Sequence, residues 1–311
     1  MTFAQLVANS FPRCALFSGE HCRRRTVPDK PLFNRSFAAG ENLLAALANA
    51  EQWIDARSVC IFVAHPDDEA LGCGGQLARL KQTSLVVVTD GSSRKDADRK
   101  TRESLARARS GELHRALSEG EVDAELLRLE LPDQSASLEI ASLARWLVDF
   151  VDRRSIDVVI THAYEGGHPD HDALACVAVA AQRLIARRRA SHAACAPAII
   201  EMPHYRAQGS QMARQSFTAM ESARTVEIEL GAKARARKIR MLQAHASQLE
   251  MLSDFDCTHE KFRIAPAYDF TRLPNKGELF YEWFDWGMSG SRWLSLAAHA
   301  YRSLGVATAC R

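Results

Sequence analysis

The sequence predicts an α/β fold: a three-layer, Rossmann-like sandwich with a mostly parallel sheet and a metal site at the C-terminal ends of the strands. Three observations carry this. Short apolar runs rich in β-branched residues alternate with helical stretches between residues 58 and 202. The runs are apolar on both faces, as in a sheet covered by helices on each side. The two densest polar clusters, at 64–69 and 166–172, each follow such a run, where doubly wound sheets bind ligands.

The elements follow in order. Leu43, Leu44, Leu47 and Trp53 fit one face of a helix from Gly40 to Trp53. Ser58 to Ala64 is the first core strand, and a helix begins at Gly72 and runs to Leu80. Ser84 to Thr89 is the second strand, ended by Asp90-Gly91, and a charged helix runs from Asp96 to Leu117. Strands are expected at Leu126 to Leu131, Asp157 to Thr161 and Ala198 to Met202, and helices at Ile140 to Arg153 and Asp172 to Arg189. Thr225 to Leu230 alternates like an exposed strand, and Ala232 to Leu252 reads as one basic helix. Residues 1–40 form an N-terminal extension with the solvated run Arg23-Arg24-Arg25, residues 41–255 the main domain, and residues 256–311 an aromatic-rich C-terminal extension packing on it.

Composition narrows the function. With 311 residues, 47% hydrophobic and 25% charged, the chain can bury a substantial core. A formal net charge of +2 gives no reason to expect nucleic acid or an anionic membrane as partner. The eight cysteines form no CxxC pair, so reduced thiols are expected. With no signal peptide and no apolar run of about 18 residues, the expected location is cytoplasmic with no transmembrane segment.

Two clusters carry chemistry. One is Ala64-His65-Pro66-Asp67-Asp68-Glu69; the other is Gly166-Gly167-His168-Pro169-Asp170-His171-Asp172. A lone His-Pro-Asp after a strand is ordinarily a turn with a capping aspartate. Two copies, each after a core strand and before a helix, point instead to one bipartite site. His65, Asp68 and His171 make a His₂Asp set, enough for a catalytic zinc with an open position. Iron, cobalt or nickel would also suit such donors. Asp67 can take a proton from metal-bound water, His168 can stabilise an oxyanion or protonate a leaving amine, and Asp170 can fix a histidine tautomer. Together these groups can hydrolyse an amide. Gly72-Cys73-Gly74-Gly75 follows an acidic loop and lacks a G-x-G-x-x-G pattern, which argues against dinucleotide binding.

With these motifs the sequence resembles the PIG-L/LmbE-like deacetylases. Ala64 to Glu69 matches the family's AHPDDE motif and His168 to His171 its HPDH motif. Thr89-Asp90-Gly91, the helix residues Arg109, Glu112 and Ala116, and Ser247-Gln248 add support, although Ser118 stands where a glycine is usual. The resemblance covers roughly residues 58 to 250. It implies zinc on His65, Asp68 and His171, Asp67 as general base, His168 as oxyanion stabiliser or acid, Asp170 tuning that histidine, and Arg109 reaching the substrate or supporting the metal loop. It also implies removal of an N-acetyl group from an amino-sugar substrate or glycoconjugate. An amidase acting on a larger conjugate, and a metal-stabilised sugar-binding protein without turnover, are the competing readings. A binding protein would have no need of Asp67 and His168. Trp283, Trp286 and Trp293 fall in the tail, where aromatic faces can pack on the sheet or wall a sugar pocket.

Overall fold

The computed structural model describes residues 33–49, 52–92, 98–188, 195–219 and 223–308. Most of the expected N-terminal extension, including the arginine run, lies outside the described residues, as do the helix start at Asp96 and the helix end at Arg189. The helices are α1 (Phe33–Ala48), α2 (Asp68–Leu77), α3 (Arg99–Glu119), α4 (Ile140–Arg154), α5 (Pro169–Arg188), α6 (Ala232–Ala244), α7 (Leu249–Leu252) and α8 (Gly290–Leu304). The strands are β1 (Ile54–Asp55), β2 (Val59–Val63), β3 (Leu80–Lys81), β4 (Thr83–Thr89), β5 (Ala124–Leu131), β6 (Val158–His162), β7 (Ala198–Met202), β8 (Tyr205–Gln208), β9 (Gln211–Arg214), β10 (Thr225–Glu229) and β11 (His259–Ile264).

The central sheet has seven strands in the order β10-β11-β7-β6-β2-β4-β5. The five strands from β7 to β5 are parallel, and β11 and β10 continue the sheet antiparallel. Every residue of β2, β4, β6 and β7 is buried, because helices cover both faces. The pleat divides β2 between two cores: Cys60 and Phe62 pack toward α4, α5 and α8, whereas Val59, Ile61 and Val63 pack toward α1, α2 and α6. The chain moves outward from β2 through β4 to β5, then returns to place β6 on the other side of β2. The carboxyl ends of β2 and β6 therefore flank the topological switch point, which opens a crevice there.

Several elements differ from expectation for identifiable reasons. The first helix starts at Phe33 and stops at Ala48, leaving Trp53 exposed. Helix α2 begins four residues earlier than the glycines suggest, with Asp68 and Glu69 in its first turn, where the helix dipole favours carboxylates. The basic helix expected to run to Leu252 breaks at His245, where ψ reaches 63°, because Glu112 accepts hydrogen bonds from both the backbone nitrogen and the hydroxyl of Ser247. The chain past residue 255, expected as an aromatic-rich extension packing on the same domain, supplies β11 to the sheet and Phe270, Tyr281, Trp293 and Tyr301 to one core. Cys60, Cys73 and Cys176 are buried free thiols. No described helix is long and apolar enough to cross a membrane.

Candidate metal centre

Both sequence clusters meet at the switch point. The loop after β2 turns sharply into α2, and the loop after β6 turns into α5. His65 Nδ1 lies 3.2 Å from Asp68 Oδ2 and 3.2 Å from His171 Nε2, and His171 Nε2 lies 3.2 Å from Asp68 Oδ1. One nitrogen from each histidine thus lies against the Asp68 carboxylate, each facing a different carboxylate oxygen. In a tetrahedral zinc site with ligands at about 2.0–2.2 Å, donors stand roughly 3.3–3.6 Å apart. The two-nitrogen, one-oxygen set therefore fits a divalent transition metal. Burial acts to raise the Asp68 pKa, but His171, His162 and His65 overcome it and hold the carboxyl well below its usual range.

Asp67 stands beside the donor set in a constrained conformation. Its φ of 142° is a region that residues with side chains rarely adopt, and such strain concentrates at functional sites. Its N–H donates to Glu69 Oε2 at 3.1 Å, and its Oδ2 accepts from Arg109 Nη2 at 2.8 Å. Burial pushes its carboxyl up to about 6, against the pull of Arg109. Arg109 also donates to the carbonyls of Gly91 and Pro66, both at 3.0 Å. Arg109 lines the site's cavity, and its hydrogen bonds go to Asp67 and the two loops around it. Gly91, at φ +70°, leaves room for it, since a β-carbon there would lie 2.6 Å from the guanidinium.

His168 sits edge-on to His65, with ring centres 4.5 Å apart. The Asp170 N–H donates to its Nδ1 at 3.2 Å, so neutral His168 carries its proton on Nε2. Asp170 meets His168 through its backbone. The carboxylate accepts from the backbone nitrogens of Gln134 and Ala136 at 2.7 and 3.0 Å, and stands 3.6 Å from His65 Nε2. The carboxylate closest to a ligand histidine belongs to Asp133, whose Oδ1 lies 3.0 Å from His65 Nε2. Sequence reasoning missed Asp133, although it follows β5 by two residues, where the carboxyl-end rule places site residues.

These groups open into a cavity of about 260 Å³ walled by Tyr205, Met212, Met251, Phe280, Phe284 and Trp286. Trp286 lies 4.9 Å from the His168 ring and stacks on Phe284 at 4.8 Å. Gly167 admits this packing, because a β-carbon there would fall 1.9 Å from the Tyr205 carbonyl oxygen.

Residues 60–182 match the family model described as PIG-L, GlcNAc-PI de-N-acetylase. They form a PIG-L-family domain. The family is one of N-deacetylases, and the domain is of that enzyme class. The PIG-L stretch contains the donor set, Asp67, Arg109, Asp133 and His168, whereas the wall from Phe280 to Trp286 lies beyond it. No curated protein matches the chain. Among similar solved structures, the A40926 pseudoaglycone deacetylase Dbv21 is 17% identical with a TM-score of 0.48, covering 68% of this chain and 97% of that chain. The N,N'-diacetylchitobiose deacetylase from Pyrococcus horikoshii is 19% identical with a TM-score of 0.49, covering 77% and 95%. The conserved protein TT1542 from Thermus thermophilus is 21% identical with a TM-score of 0.46, covering 67% and 94%.

Proposed function

We propose that this chain hydrolyses an N-acetyl group from an amino-sugar-containing substrate, using a divalent transition metal, zinc by preference, held by His65, Asp68 and His171. The observation that carries the reading is the convergence of His65 Nδ1, His171 Nε2 and the Asp68 carboxylate, in contacts of 3.2 Å, on a cavity that Asp67 and His168 also line. When bound, such an ion supplies Lewis-acid activation of the amide carbonyl and of water.

The chain's own residues do the rest. Arg109 holds Asp67 Oδ2, leaving Oδ1 to accept the proton of the attacking water. His168 Nε2–H donates toward the developing oxyanion and then toward the leaving nitrogen. The C–N bond breaks, the water oxygen stays with the acyl carbon, and acetate and a free amine result. Asp133 fixes the tautomer of His65. The aromatic wall suits the face of a sugar ring. The buried thiols of Cys60, Cys73 and Cys176 support a reducing, cytoplasmic setting.

The test is acetate release by zinc-loaded protein from a panel of N-acetyl-hexosamine compounds: free, nucleotide-linked, inositol-linked, lipid-linked and pseudodisaccharide. The expected result is release that falls about 10²–10⁴-fold in Asp67→Asn while zinc stays bound. Release unaffected by Asp67→Asn would overturn the assigned base. No release from any compound would overturn the amino-sugar reading and shift weight to a larger amide conjugate.

A further inference from the structure

Two histidines lie behind the donor set rather than in the cavity. His162 ends β6 and His204 follows β7 by two residues, and each is 1% exposed. Their hydrogen bonds fix their protons. The Ala64 N–H donates to His162 Nε2 at 2.9 Å, so a neutral His162 carries its proton on Nδ1. That nitrogen lies 3.4 Å from His204 Nδ1, which must then offer a lone pair and leave the His204 proton on Nε2. His204 Nε2 lies 3.2 Å from the Asp68 carbonyl oxygen, which can only accept. The His162 Nδ1 proton thus faces His204, and the His204 Nε2 proton faces the Asp68 carbonyl.

The chain of bonds starts at Ala64 and ends at Asp68. It therefore clasps both ends of the loop that carries His65, Asp67 and Asp68. The His162 ring also lies flat on His171, with centres 4.0 Å apart and planes 6° apart. One relay thus contacts the loop holding two donors and the ring holding the third. Gly72 gives it space, since a β-carbon there would lie 2.7 Å from Met202 Sδ and 3.2 Å from His204 Cε1.

We propose that His162 and His204 form a fixed-tautomer relay that holds the 64–68 loop and His171 in ligating geometry, as positioning residues and not as ligands. This rests on His65, Asp68 and His171 being the metal ligands. The rival arrangement is a second ion on Asp68, His162 and His204, whose donor atoms lie within 4.8 Å of one another. It would need His162 to surrender the Ala64 hydrogen bond or both rings to change tautomer.

The experiment is zinc affinity and stoichiometry, measured by chelator competition without substrate, on wild type, His65→Ala, His162→Phe, His204→Phe and the double Phe variant. Phenylalanine keeps a flat ring and removes the hydrogen bonds. Positioning groups around metal ligands typically contribute 10- to 100-fold in affinity, so each single variant should weaken zinc by about that factor. The double variant should fall little further, because either substitution breaks the same chain. Wild type should bind one zinc. Two ions in wild type and one in the Phe variants would overturn the relay and make these histidines ligands. Unchanged affinity in both Phe variants, with zinc lost in His65→Ala, would also overturn it. Unchanged affinity in His65→Ala would instead sink the underlying ligand assignment. If the Phe variants fail to fold, ¹⁵N-histidine spectra of the wild type decide. Protons on His162 Nδ1 and His204 Nε2 support the relay, and any other pattern overturns it.

Discussion

Arg109 Nη2 sits 2.8 Å from Asp67 Oδ2, with both side chains sealed from solvent. Removing one partner of such a pair strands the other charge and costs about 3–5 kcal/mol. Arg109→Ala should therefore unfold at a markedly lower temperature. Arg109→Lys is the sharper test, because an ammonium cannot reproduce the planar fork that bonds Gly91, Pro66 and Asp67 together. A base displaced by an ångström can cost about 10²-fold in rate, so kcat should fall by that order while zinc remains bound. Steady-state kinetics beside metal analysis checks this.

Asp133 predicts a different signature. Its carboxylate orients His65 through the nitrogen turned away from the donor set. Asp133→Asn keeps the shape but can bond His65 as a donor, which favours the wrong tautomer. Zinc affinity should drop about 10- to 100-fold, and saturating zinc should restore most of the activity. Titration against a chromophoric chelator measures the first, and a zinc-dependence curve of turnover the second.

Trp286 belongs to the wall rather than to the chemistry. Aromatic contacts of its kind are worth about 0.5–1.5 kcal/mol, or roughly 2- to 10-fold in affinity. Trp286→Ala should raise KM by about that factor, with kcat and zinc affinity changed less. A loss confined to kcat would place Trp286 in the catalytic machinery through its contact with His168.

Glu165 should imprint a pH dependence on stability. Burial pushes its carboxyl up to about 8, Arg263 opposes this, and Glu201 adds to it. Its Oε2 accepts only weakly, from the His204 N–H at 3.3 Å, and its Oε1 has no partner. The unfolded chain releases this proton near about 4.3. Between those values the folded state binds more protons, so the favourable contribution present at low pH is lost as pH rises through about 8. Glu165→Gln lacks this titration and should gain on wild type from about pH 5 to pH 9. Thermal unfolding of the two metal-free proteins across that range gives the difference, in which titrations common to both cancel.

The parts of the molecule legible from sequence share one property: their meaning is local. The strand at Val59–Val63 is a run of apolar residues, and the His65 and His168 clusters announce themselves as motifs. Asp133, His162 and His204 carry no such mark. His162 gains its role only because the register sets it opposite Met202, bringing His204 around the end of β7. Strand β11 was hidden because two of its buried positions are charged: Glu260 pairs with Lys238, and Arg263 with Glu201, both pairs inside the protein. Helix α8 does carry a local signal. Trp293, Ala297, Ala300, Tyr301 and Leu304 form an apolar stripe, Ser289 caps its start and Gly305 its end.

The placing of β11 has a consequence for the growing chain. This strand follows both β7 and β10 in the chain, yet it takes an inner seat between them. Until residues 259–264 arrive, β7 presents an unpaired edge and β10 has no neighbour to dock on. A ribosome stalled near residue 250 would hold a nascent chain with that flank of its sheet bare. That interval is when the protein is most open to mispairing and to capture by chaperones. Closing this flank of the sheet thus waits on a strand made after both of its neighbours.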